Sequence, residues 1–172
     1  MWDDTGIFLL ALQHPFSRGS VQAASASIFD SPIADPRMLH NPLDVLFMLD
    51  GIKYARYLAG TKAISTLQPI EIAPGAAVTT DAALEEFIKQ KSTTVFHPAG
   101  SCKMGKREEG GVVDGQLRVH GVSNLRVVDA SVIPLLPASH TMATVYAAAE
   151  KVKWIVVLMS IDAELTLLPI GC

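Results

Sequence analysis

Two histidines in this sequence occupy positions from which a side chain can act as an acid or a base. His97 opens the stretch "HPAGSCKMG", and His140 lies in "ASHTMAT", at the start of a predicted helix. Because Pro98 holds the backbone of His97 away from a helical conformation, the imidazole has a defined direction. The free N–H groups of a helix start favour an anion or an electron-rich ring beside His140. Either histidine alone is more often structural than catalytic, and their spacing does not tie them together.

The composition limits the classes of protein to which the chain can belong. Its 172 residues, 49% hydrophobic and 18% charged, predict one globular domain with a hydrophobic core. The formal net charge is −3, and because Lys and Arg are scattered rather than clustered, nucleic acid is not an expected partner. Two cysteines predict neither a disulfide framework nor a metal site. The apolar run at residues 154–160 is far shorter than the ~20 residues of a membrane span, so no membrane contact is expected.

The first predicted helix has sequence signals both for its start and for its end. Asn41 is placed as its N-cap, Pro42 at its first helical position and Gly60 just past its end. Apolar residues at spacings of three and four predict one face packed on a core: Val45, Met48, Leu49, Ile52, Ala55 and Ala59. This helix is interpreted as scaffold.

Two further helices and several short strands are predicted. One helix runs from about Asp81 to Gln90 with Thr80 as its cap, and the other follows Ser139 or Thr141. Strands are expected at residues 7–12 and again before Ser25. Glycine-punctuated apolar runs predict two more at residues 112–122 and 124–134. The proline-rich run at residues 30–42 is predicted to be an extended loop.

Three motifs carry a resemblance to a known family. They are "FHPAGSCKMG", then "GGVVDGQLRVHGVSNLRVVDASVIP", then "ASHTMATVYAAAEK". In this order and spacing they resemble the C-terminal signature of the glucose-methanol-choline (GMC) oxidoreductases, flavoenzymes that oxidise alcohols. The resemblance implies an α+β fold, in which an antiparallel sheet has helices packed on one face. A strand and a helix would return from this part to the FAD-binding domain.

The resemblance also implies roles for the two histidines. His97 matches the general base that takes the proton of the substrate hydroxyl while hydride leaves for the flavin. His140 matches the second position of the pair, which hydrogen-bonds the substrate oxygen and assists reoxidation. The expected partners are a small-molecule alcohol and either oxygen or another electron acceptor.

Four further residues are implied to run beside the cofactor, which is FAD. Asp129 and Ala130, in "VVDAS", match residues along its ribityl and diphosphate portion. Thr141 and Met142 match the helix start that faces the pyrimidine edge of the flavin. Positive potential at that helix start would stabilise the reduced ring.

The sequence departs from the family pattern in two places. The G-x-G-x-x-G turn, with which the family binds the FAD diphosphate, does not occur in this chain. We therefore expect a C-terminal GMC domain without its N-terminal FAD-binding βαβ unit, in which residues 1–155 resemble the family. Residues 156–172 form an atypical apolar tail.

Alternative functions remain open from the sequence. One is an inactive fragment that needs its N-terminal half, and another is a flavin-containing lyase of the hydroxynitrile lyase type. The identity of the alcohol, the electron acceptor and the cellular location are also open.

Overall fold

A computed structural model describes residues 6–166, with side chains to residue 156. The chain divides into two compact units, Met1–Val95 and Phe96–Cys172. The described residues form a two-stranded antiparallel sheet, four α-helices and two 3₁₀ turns. The predicted α+β class is therefore confirmed.

The first unit is organised around helix α1, Pro42–Ala59. The Asn41 side chain accepts a hydrogen bond from the Leu43 N–H at 3.0 Å, which caps the helix start. At the other end, the N–H of Gly60 donates to the carbonyl of Arg56 at 3.1 Å. Both predicted ends are confirmed, because each depends on residues within one turn of the boundary.

A small core lies between α1 and helix α3, Asp81–Lys91. Leu49 and Ile52 of α1 pack with Leu84 and Ile88 of α3, and all four are buried. Thr80 caps α3 as predicted, its hydroxyl accepting from the Ala83 N–H at 3.3 Å. The four-residue helix α2, Lys62–Ser65, follows α1 directly.

The strands of the first unit differ from the prediction. Strand β1, Ser20–Gln22, pairs antiparallel with β2, Ile33–Asp35, so the run at 30–42 is not entirely loop. Residues 7–12, predicted as a strand, form none. A strand requires a partner for its backbone N–H and C=O groups, and among the described residues none pairs with this segment.

The second unit has a core beneath helix α4, Met142–Thr166. Its buried members are Val113, Leu117, Val132 and Val152. The strands predicted at 112–122 and 124–134 are wrong in extent. Turns at Gly115 and Gly121 divide the first run into isolated bridges such as Val113 with Val119, and the second run contributes the single-residue bridge of Arg126 with Arg118. The second run ends in the 3₁₀ turn Ala130–Val132. The predicted helix after Thr141 is confirmed.

None of the helices within the described residues is both long enough and apolar enough to cross a membrane. The atypical tail lies partly in α4, and residues 167–172 are outside the described part of the chain.

Candidate active site

The structure brings the two candidate histidines together. The Nδ1 atoms of His97 and His140 lie 3.5 Å apart, although 43 positions separate them in the sequence. The ring centroids are 4.9 Å apart, with an angle of 86° between the ring planes. His97 is half-buried and His140 is exposed, so solutes can reach this edge-to-face pair.

The contact between the rings decides which nitrogen atoms remain free. Because the two Nδ1 atoms face each other, one of them donates its hydrogen and the other accepts it. Neither Nε2 atom forms a hydrogen bond with the described residues. Each imidazole therefore has its Nε2 available for a ligand, while its Nδ1 is held by the other ring.

Backbone geometry positions His97 at the start of the second unit. Phe96, immediately before it, has a φ of 61°, in the left-handed region that few non-glycine residues adopt. Pro98 follows and restricts His97 to extended conformations. The imidazole therefore projects from a segment whose backbone freedom is limited on both sides.

A ladder of three hydrogen bonds holds the segment after His97. The backbone N–H groups of Gly100, Cys102 and Met104 donate to the carbonyls of Ala130, Ser131 and Val132, respectively, at 3.2, 2.9 and 2.9 Å. The carbonyls belong to consecutive residues of the 3₁₀ turn, whereas the donors alternate along an extended chain. We call this contact the rung ladder.

Asp129 and Ala130 lie at the start of the 3₁₀ turn in the rung ladder. One carboxylate oxygen of Asp129 accepts from the Ser131 N–H at 2.7 Å and caps the turn. The Ala130 carbonyl is the acceptor for Gly100. Within the described residues, neither Asp129 nor Ala130 has a hydrogen bond or ring contact with the imidazoles.

Thr141 and Met142 lie at the start of α4, next to His140. The N–H of Val145 donates to the Thr141 carbonyl at 3.0 Å, so Thr141, the residue immediately before α4, accepts the first hydrogen bond of the helix. The N–H groups of the first helical turn consequently have no acceptor within the helix. The Ser139 hydroxyl donates instead to the His140 carbonyl at 3.3 Å, and Met142 is exposed.

Sequence reasoning missed Gly100 and Phe96 as residues that shape this site. The sequence does contain a glycine three positions after the candidate base, but only the folded structure shows that Gly100 lies close to another backbone segment. The described residues contain no cluster of three or more His, Cys, Asp or Glu side chains suited to a metal ion.

The chain is similar to a family of known enzymes. A family model described as GMC oxidoreductase matches residues 15–149. Patulin synthase of Aspergillus clavatus is 43% identical over 148 residues, covering 83% of this chain and 23% of that protein.

Two solved structures are also similar to this chain. A fungal aryl-alcohol oxidase has a TM-score of 0.81 and 40% identity, covering 88% of this chain and 25% of that one. An FAD-dependent oxidoreductase from Chaetomium thermophilum has a TM-score of 0.80 and 31% identity, covering 84% and 25%. The chain thus spans about a quarter of the length of these relatives.

Proposed function

Because the chain belongs to the GMC oxidoreductase family, we propose that it forms the part of an FAD-dependent alcohol oxidoreductase that carries the catalytic histidine pair. The observation behind the proposal is the 3.5 Å approach of the Nδ1 atoms of His97 and His140, while neither Nε2 atom is hydrogen-bonded to a residue that the structure describes. Two similar structures are described as an aryl-alcohol oxidase and an FAD-dependent oxidoreductase, which supports the reaction class and the cofactor.

His97 is the general base in this proposal. An alcohol is a very weak acid, so hydride leaves its carbon more easily when a neutral imidazole takes the hydroxyl proton in the same transition state. The Nε2 atom of His97 accepts that proton, because its Nδ1 faces His140. The rung ladder limits movement of the segment behind His97, and this reduces the reorganisation needed to reach the reactive geometry.

His140 is the partner that orients the substrate. Its Nε2 donates a hydrogen bond to the alcohol oxygen when Nδ1 is the acceptor from His97. The two ring planes are perpendicular, at 86° to each other, and each ring offers its own Nε2 atom to a ligand. One imidazole can therefore remove a proton while the other holds the oxygen.

The donor groups at the start of α4 fit a flavin. Bound FAD supplies the acceptor for the hydride that leaves the alcohol carbon. The open N–H groups after Thr141 and the exposed Met142 leave the positive end of the helix accessible to an electron-rich ring edge. Asp129 retains one carboxylate oxygen beyond its bond to Ser131, which suits a sugar-like hydroxyl donor. Ala130 adds no side chain that would obstruct such a contact.

The proposal can be tested in a chimera with the fungal aryl-alcohol oxidase. Residues 15–149 of this chain, the family-matched segment, replace the corresponding segment of that enzyme, and flavin reduction by alcohols is followed anaerobically by absorbance. We expect alcohol to bleach the flavin. The His97→Ala variant should reduce the rate by roughly 10²–10⁴-fold, the usual contribution of a general base.

Flavin content is the control for folding of the chimera. The His40→Ala variant removes an exposed histidine within the transferred segment and should retain the full rate of flavin reduction. A chimera that holds FAD but is never bleached by alcohols would overturn the oxidoreductase proposal and favour lyase chemistry. An unchanged rate in His97→Ala would remove that residue from the mechanism.

A further inference from the structure

We infer that Gly100 is a positioning residue that sets the distance between the imidazoles of His97 and His140. The consequence for catalysis rests on the proposed function, whereas the positioning itself rests on backbone geometry. Gly100 does not contact a substrate in this proposal and acts only through the histidine pair.

The first observation is the conformation of Gly100. Its φ is +83°, a left-handed value that residues with a Cβ atom adopt at a cost. A Cβ atom at this position would lie 3.2 Å from the carbonyl oxygen of Ile133, closer than an ordinary contact. Position 100 therefore disfavours a side chain for two independent reasons.

The second observation is the place of Gly100 in the rung ladder. Its N–H donates to the Ala130 carbonyl at 3.2 Å, and this is the rung closest in sequence to His97. The same glycine approaches Ile133, the residue from which the chain continues to His140. At Gly100, the end of the rung ladder nearest His97, the two segments that carry the imidazoles are thus in direct backbone contact.

A methyl group at Gly100 would act on both segments at once. To relieve the 3.2 Å approach, the Ile133 carbonyl must move away, or the φ of residue 100 must leave the left-handed region. Either change weakens the rung to Ala130 and lets the two segments separate. The 3.5 Å approach of the Nδ1 atoms would not survive such a shift.

The test measures the nuclear Overhauser effect (NOE) between the ring protons of His97 and His140 in the 172-residue chain. Since this signal falls with the sixth power of the distance between the protons, separation of the two rings, whose centroids lie 4.9 Å apart, weakens it severalfold. We expect that loss in Gly100→Ala. Gly110→Ala is the matched control, because Gly110 is in the same unit, has a φ of +76° and has no atom closer than 3.8 Å to its added Cβ.

Each outcome bears on the inference. Loss of the NOE in folded Gly100→Ala, with the NOE retained in Gly110→Ala, supports it. If Gly100→Ala does not fold, Gly100→Asn takes its place, because asparagine tolerates positive φ better but still brings a Cβ toward Ile133. An NOE that is unchanged in a folded variant of Gly100, or that is lost equally in Gly110→Ala, overturns the inference.

The same variant in the aryl-alcohol oxidase chimera separates this inference from the proposed function. A misplacement of about 1 Å should lower kcat on the order of 10²-fold while flavin content and KM change little. A chimera without alcohol oxidation, combined with NOE loss in Gly100→Ala, would refute the proposed function and leave the positioning role of Gly100 supported.

Discussion

The Nδ1 atom of His97 lies 3.5 Å from the Nδ1 atom of His140. Closeness along the chain does not account for this contact, because 43 positions separate the two residues. The backbone hydrogen bond from the Gly100 N–H to the Ala130 carbonyl brings together the segments that carry the two histidines. The rings themselves are partly exposed and add little buried apolar surface. The pair is thus a consequence of how the chain is hydrogen-bonded rather than of side-chain packing.

Replacing His140 tests whether a hydrogen bond from this side chain contributes to the rate of flavin reduction. We expect His140→Asn to retain more activity than His140→Ala in the aryl-alcohol oxidase chimera, because an amide can still hydrogen-bond both His97 and an alcohol oxygen. The measurement is the rate of anaerobic flavin reduction. We expect His140→Ala to be slower by on the order of 10²-fold, and equal rates in the two variants would mean that no hydrogen bond from this position contributes.

The sequence supplied the identity of the two histidines but not their approach. His97 and His140 were recognised from motifs that surround each one separately. The 3.5 Å contact depends on the rung ladder, which joins residues 100–104 to residues 130–132. No spacing rule relates an extended segment to a 3₁₀ turn, so the approach and the role of Gly100 became visible only in the fold.

Asp44 should make the stability of the first unit depend on pH. Burial raises the pKa of this carboxyl, but hydrogen bonds from Ser17 and Phe16 outweigh burial and hold the pKa below its ordinary value. A lowered pKa in the folded state means that the stabilisation is present above about pH 4 and is lost as the pH falls through the folded-state pKa. Urea unfolding measured from pH 7 down to pH 2 should show this loss.

The Asp44→Asn variant isolates that contribution. At pH 7 we expect it to lower the free energy of unfolding by roughly 2 kcal/mol, because one amide oxygen cannot accept all the hydrogen bonds that the carboxylate does. The difference from the unchanged chain should shrink below about pH 4. Asp50→Asn, an exposed carboxylate on the same helix, is the control. A difference that is constant with pH would contradict this assignment.

Arg56 should stabilise the loop after α2 through the shape of its guanidinium. Its Nε and Nη2 atoms donate to the Glu71 carboxylate, and Nη2 also donates to the Gly75 and Val78 carbonyls. A lysine ammonium cannot reproduce this fork, so Arg56→Lys should cost about 1–2 kcal/mol in chemical denaturation. The exposed Lys53–Asp81 pair offers the control, since Lys53→Arg should change stability by less than about 0.5 kcal/mol.

The difference between signals from nearby residues and signals from distant residues explains which fold predictions are confirmed and which are wrong. Helix α1 was predicted with both ends because Asn41 and Gly60 act within one turn of each boundary. Residues 7–12 have strand composition but form no strand, since strand formation depends on a partner that composition does not identify. Residues 112–122 contain turns at Gly115 and Gly121, and the apolar runs between these turns are too short for more than single bridges.

Gly111 should be the least tolerant of a side chain among the glycines that the structure describes in the second unit. An added Cβ atom would lie 2.2 Å from the Gly105 carbonyl oxygen, a backbone atom that cannot move without breaking its neighbours' hydrogen bonds. We expect Gly111→Ala to lower the free energy of unfolding by at least about 2 kcal/mol, as overpacking does in a rigid environment. Gly115→Ala is the control, because its Cβ would meet no atom within 4 Å. Thermal unfolding followed by circular dichroism compares the two, and equal Tm values would show that the backbones at Gly105 and Gly111 can separate freely.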